Sequence, residues 1–302
     1  MADATTATAV TDPQGPAGPI AGTRLSVTHR TAFHYGLPVT RSVNTVRMEP
    51  RTFPYQKTLS ALIRVIPATR LRCFTDLFQN ITHHFELPDP HSKLEIESRI
   101  RVHNLPLAIP DFAFTATAAE YRDPAIHELV WVYLQDSRRV SRSPEVWRHA
   151  VDTTVGMESV FDKARAIMGW IHREFSYQPG ATGVRAHLEE SLAIRSGVCQ
   201  DFTHVMLGMC RSVGIPARYA SGYLYNGPTD QLVGAQASHA WCEVYLPSAG
   251  WIGFDPTNDT LADDRYVKVA VGRDYEDVAP VEGSYLGIGH CRLEVSVVVE
   301  KI

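Results

Sequence analysis

SHAWCEVYL (residues 238–246) and WIGFDPTND (251–259) are two alternating runs separated by only the four residues PSAG. Alternation of apolar and polar positions is the signature of a half-buried strand, and so short a link leaves antiparallel neighbours as the natural arrangement. In the first run Ala240, Cys242, Val244 and Leu246 share one face, and His239, Trp241, Glu243 and Tyr245 share the other. In the second, Ile252 and Phe254 oppose Trp251, Gly253 and Asp255. If Tyr245 pairs with Trp251, His239 and Asp255 become diagonal neighbours on one face, roughly 7 to 8 Å apart at the backbone and within side-chain reach. Pairing Leu246 with Trp251 instead sends Asp255 to the opposite face. The register therefore decides whether an imidazole and a carboxylate meet.

A third stretch, SGVCQDF (196–202), places a cysteine at the start of a helical pattern. Phe202, Met206, Met209 and Val213 recur at helical spacing, and Gly214 followed by Ile215-Pro216 supplies a stop. Cys199 then lies in the first turn, where unpaired N–H groups and the helix dipole favour an anion, the thiolate included. A cysteine nucleophile needs a base and a group to orient that base. Cys199, His239 and Asp255 supply these roles in chain order. Asp201, also in the first turn, reads as a complement to the dipole rather than a catalytic group, and being anionic it opposes a thiolate. His204, five residues past Cys199, falls on a different helix face and is rejected as the base. Cys210 and Cys242 read as small core residues, and Tyr219, Ser221 and Tyr223 as sheet-face residues that could also line a cleft.

The rest of the 302 residues bounds the alternatives. A formal charge of −4 without like-charged runs gives no footprint for nucleic acid or anionic membrane. Five cysteines at irregular spacing argue against a disulfide framework or zinc site and fit a reducing, cytoplasmic setting. Adjacent His83 and His84 point to opposite faces of a strand, which disfavours a shared metal. No metal and no cofactor is expected. Residues 1–22, rich in Ala, Thr, Pro and Gly, read as a disordered tail with neither a signal peptide nor a membrane span. Residues 23–115 read as a small antiparallel β domain built from short runs such as RLSVTHRTAFHY, VTRSVNTVRMEP and KLEIESRIRVHN. Residues 116–155 read as a helical connector, 156–262 as the core, and 263–302 as an extension whose last run, CRLEVSVVVEKI, returns to pair with the β domain. Within the core, Val160, Ala164, Ile167, Met168, Ile171 and Phe175 mark an amphipathic helix.

The stretches SGVCQDFTHVMLGMCRSVGIPARYASGYLY and ASHAWCEVYLPSAGWIGFDPTND resemble the transglutaminase-like superfamily, and more closely its bacterial members that carry an N-terminal β-rich domain. The resemblance implies an α+β fold: a papain-like transglutaminase core, with the Cys-bearing helix packed on an antiparallel sheet, preceded by a small antiparallel β domain. It implies a triad of Cys199, His239 and Asp255 and acyl transfer through a thioester on peptide or isopeptide amides, with hydrolysis favoured over cross-linking. Gln200, Tyr177, Gln178 and Trp241 are possible cleft or oxyanion residues, alongside the Cys199 backbone N–H. A peptide or protein is the expected substrate, and a peptide-ligating ATP-grasp protein a possible partner. The chain lacks the acidic loop of an EF-hand, the arginine-glycine approach of arylamine acetyltransferases and the paired CxxC motifs of peptide N-glycanases. The alternative from another class is a non-catalytic peptide-binding or interaction module that keeps the fold.

Overall fold

The computed structural model describes residues 22–227, 232–233, 238–247 and 249–302, so the tail read from residues 1–22 lies outside them except for Gly22. The N-terminal half forms β1 (Thr23–Glu49), β2 (Gln56–Ile66), β3 (Arg72–Thr75), β4 (Ile81–Leu87) and β5 (His91–Asn104). Two runs that read as separate strands are one long β1. Gly36, Leu37 and Pro38 do not end it; they are exposed, and the pairing with β5 shifts register between His34 and Val39. Proline is tolerated at such an irregularity because no ladder donor is required there.

Helices dominate the middle of the chain: α1 (Pro124–Val130), α2 (Pro144–Thr154) and α3 (Val160–Glu174). Val146 and Ala150 of α2 are fully buried in the main core, so residues 144–154 pack with the core rather than bridging to it. The chain continues through β6 (Ser176–Tyr177), α4 (Leu188–Ile194), β7 (Ser196–Gly197) and α5 (Cys199–Ser212). Then come β8 (Ala217–Leu224), β9 (His239–Leu246), β10 (Gly250–Asp255), β11 (Thr260–Leu261) and β12 (Tyr266–Gly272). After α6 (Tyr275–Val278), β13 (Val281–Leu286) and β14 (Cys291–Lys301) pair antiparallel with β1 and join the N-terminal sheet.

Among the described residues the core sheet runs β11-β10-β9-β8-β12. Its α5 face buries Ala240, Cys242 and Val244 against Met206 and Met209. Each fully enclosed aliphatic or methionine side chain contributes about 1.5–3 kcal/mol relative to exposure. The apolar stripe on α5 is only part of its buried surface: every residue from Asp201 to Arg211 is buried, making α5 a central helix rather than a half-exposed one. It ends in a Schellman motif. Gly214, at φ +74°, donates to Arg211 O at 3.1 Å, and Ile215 N–H reaches Cys210 O at 2.9 Å.

β12 is the edge strand of this sheet, and side-chain amides of the N-terminal domain cover its free edge. Gln56 Nε2 donates to Lys268 O at 2.7 Å while its Oε1 accepts from Lys268 N at 2.8 Å. Asn104 Nδ2 donates to the carbonyls of Tyr266 and Asp264. The unpaired groups of an edge strand are thereby satisfied within the chain.

Candidate active site

Cys199 is the first residue of α5, after the extended Val198. Its position is fixed from behind by Asp201, which is buried and accepts three hydrogen bonds: from Val198 N at 2.8 Å, Thr182 Oγ1 at 2.7 Å and Ser191 Oγ at 2.9 Å. Asp201 therefore caps the helix and ties both Thr182 and, from α4, Ser191 to it. Gly197 is required by this packing, because a Cβ there would lie 2.4 Å from Asp201 Oδ2.

His239 opens β9 and Asp255 closes β10. The hairpin register places Tyr245 opposite Trp251 and Cys242 opposite Phe254, the arrangement that puts the two on one face. His239 Nε2 and Asp255 Oδ2 are 2.8 Å apart, at 1% and 0% exposure. Burial alone would lower the His239 pKa, but the Asp255 charge and hydrogen bond, with Cys199 adding to them, raise it to about 10. Burial likewise works against the Asp255 carboxylate, and His239, Asn258 and Tyr266 outweigh it to hold the pKa below its ordinary value. The remaining nitrogen, His239 Nδ1, makes no hydrogen bond among the described residues. Cys199 lies near enough to His239 to favour the imidazolium. Cys199 keeps 8% exposure, so of the three it is the one in contact with solvent.

The other sequence-derived positions separate. Tyr177 lies half-exposed on β6; burial, then Cys199 and Asp255, push its hydroxyl up to about 12, leaving it a neutral donor close to the thiol. Gln178 is held beside the helix head by its N–H to Gly197 O at 2.8 Å, and its Oε1 accepts from Ser196 Oγ. Gln200, one of the residues read as cleft or oxyanion candidates, donates from its Nε2 to Val184 O at 2.7 Å. Trp241 stacks near His239 at 6.3 Å between centroids but lies on the sheet face away from α5. His204 is buried inside α5, where Nε2 accepts from Tyr275 N at 3.2 Å. Tyr219 and Tyr223 are buried, and Tyr223 Oη lies 2.8 Å from His29 Nδ1 between the domains.

Two residues of the site escaped the sequence reading. Tyr266 Oη and Asn258 Nδ2 each donate to Asp255 Oδ2 at 2.8 Å. Asn258 stands in the same DPTND turn as Asp255, three residues on, and that proximity was a usable signal. Tyr266 lies on β12 and carries no local cue.

A thiol at a helix head, facing an imidazole-carboxylate pair on an antiparallel sheet, defines the papain-like transglutaminase core. The chain belongs to the transglutaminase-like superfamily: that family's profile matches residues 148–256, and the profile of the bacterial transglutaminase-like N-terminal region matches 25–103. An uncharacterized protein of Mycobacterium leprae is 32% identical over 92% of this chain and 99% of its own length. A protein-glutamine gamma-glutamyltransferase of Pseudomonas aeruginosa is 36% identical over 28% of this chain, but over only 14% of that protein. The fold is shared with a Cytophaga hutchinsonii chain provisionally described as a cysteine protease, with a TM-score of 0.77, 21% identity, and coverage of 93% of this chain and 91% of that one.

Proposed function

We propose that this chain is a cysteine-dependent amide hydrolase or acyltransferase acting on peptide or isopeptide bonds through a thioester on Cys199, with water the favoured acceptor. The observation that carries it is the buried 2.8 Å pair of His239 and Asp255, which leaves Nδ1 unpartnered beside the cysteine at the helix head. Asp255 fixes the ring by engaging Nε2, so Nδ1 takes the thiol proton. Sγ attacks the amide carbon, and the oxyanion is met by the Cys199 backbone N–H, a helix-terminal donor with no intrahelical partner. The C–N bond breaks as Nδ1–H protonates the leaving amine. Water then gives a proton to Nδ1 and attacks the thioester, and the thiolate leaves.

The test is intact-mass analysis after incubation with a peptide library. A mass increment mapped to Cys199, absent in Cys199→Ala and reduced in His239→Ala, supports the reading. Failure of Cys199 to acquire any acyl adduct, together with alkylation by iodoacetamide no faster than at Cys210, favours the non-catalytic interaction module.

A further inference from the structure

On the sheet face away from α5, a cavity of about 470 Å³ lies between the core and the N-terminal domain. Its size is that of small-molecule sites. Aromatic rings form much of its wall: Phe53, Phe78, Tyr133, Trp241, Trp251 and Tyr266. Three cations line it, Arg51, Arg218 and Lys268, against the carboxylates Glu243 and Asp263.

The anions are already engaged. Both oxygens of Glu243 are occupied, Oε2 by Arg218 at 2.6 Å and Oε1 by Lys268 at 2.6 Å. Asp263 is paired with Arg265 at 2.7 Å, and Asp76, which also acts on Arg51, with Arg47 at 3.3 Å. Arg51 is the lining cation left without a carboxylate partner among the described residues. Its Nε is buried and makes no hydrogen bond, and its guanidinium lies 4.9 Å from the Phe53 ring that Lys268 approaches at 4.2 Å from the centroid. Burial and the Arg218 charge both act against the protonated Arg51. A second orphan lies in the same wall: Trp241 is 1% exposed, and its Nε1 finds no acceptor among the described residues.

Cation–aromatic contacts of this kind supply no acceptor, which leaves a buried guanidinium N–H under-satisfied. We infer that this cavity is a binding site for a small carboxylate with an aromatic or flat apolar body, its carboxylate meeting Arg51 and its body lying among the rings. The Cys199 thiol takes no part, so the site stands independently of the proposed reaction.

The test is calorimetric titration of the full chain with phenylacetate, 3-phenylpropionate and indole-3-propionate, each against its neutral amide. The expected result is saturable binding of at least one carboxylate, at least tenfold weaker for the matching amide, unchanged in Cys199→Ala and at least tenfold weaker in Arg51→Gln. The acid-amide comparison uses the natural chain and stands even where Arg51→Gln fails to fold. Equal binding of acid and amide, no saturable binding by any of the three acids, or full affinity in a folded Arg51→Gln overturns the inference.

Discussion

Asn80 closes a ring of two 2.8 Å hydrogen bonds with the backbone of Val271: its Nδ2 donates to the carbonyl and its Oδ1 accepts from the N–H. The two residues belong to different domains and are 191 positions apart. With Gln56 doing the same at Lys268, the N-terminal domain acts as the missing neighbour of β12, the strand that carries Tyr266 to Asp255.

Asn80→Asp turns the donor facing the Val271 carbonyl into an acceptor. Loss of a buried, satisfied pair costs about 1–3 kcal/mol. The midpoint of denaturant unfolding should fall accordingly, and hydrogen exchange at the Val271 amide should quicken. Unchanged protection at Val271 would show that the amide ring does not secure the edge.

The His239–Asp255 pair predicts a specific pH dependence of stability. His239 is raised from 6.5 to about 10, so its contribution is complete below 6.5 and is lost as pH rises through 10. Asp255 is lowered from 3.8, so its contribution is present above 3.8 and is lost as pH falls through its folded value. The advantage of the natural chain over Asp255→Asn should be largest between pH 3.8 and 6.5 and should shrink steadily toward 10. Urea titrations across that range measure it; a constant difference from 6.5 to 10 contradicts the pairing. At its largest the loss should reach several kcal/mol, about 3–5 being usual when a buried pair is broken.

Gly197 and Asp201 should behave as one unit. Gly197→Ala drives a Cβ into the Asp201 carboxylate, and Asp201→Ala removes the three bonds that fix the head of α5. Each should destabilise by at least the roughly 1.5–3 kcal/mol that one hydrogen bond to a charged group is worth. The double variant should lose clearly less than the sum, because with the carboxylate gone the new methyl has room; a coupling of at least about 0.5 kcal/mol is expected. Strict additivity in a double-mutant cycle would mean that the two act separately.

What could be read in the sequence was local. Alternation and a four-residue link led to the antiparallel hairpin but left the Tyr245–Trp251 and Leu246–Trp251 registers open, only the first of which joins His239 to Asp255, while the head of α5 followed from Gly197, the Cys199–Asp201 turn and the Gly214 stop. The full burial of α5 did not follow, because its polar residues imitate a solvent face. Thr203 is satisfied by the Cys199 carbonyl at 2.7 Å, and Arg211 by the carbonyls of Ala217, Gln135 and Arg273, so a residue type usually exposed lies in the core. Tyr266, Asn80 and the Arg51 cavity were equally hidden. Each depends on partners far away in sequence or across the domain boundary, where periodicity carries no information.

Tyr266 gives the closing test of how Asp255 is held. Its hydroxyl, Asn258 Nδ2 and His239 Nε2 all address Oδ2, and Asp255 is enclosed. Tyr266→Phe keeps the ring that packs against Trp241 at 5.3 Å while removing one donor to the carboxylate. Losing a hydrogen bond to a buried charge costs about 1.5–3 kcal/mol. The Asp255 pKa should rise, and the acid limb of any Cys199 acylation profile should move to higher pH with it, while the alkaline limb moves little. Asn258→Ala should shift the same limb in the same direction. A fall in rate of equal size at every pH, with both limbs in place, would assign Tyr266 to packing alone and leave the charge on Asp255 to His239 and Asn258.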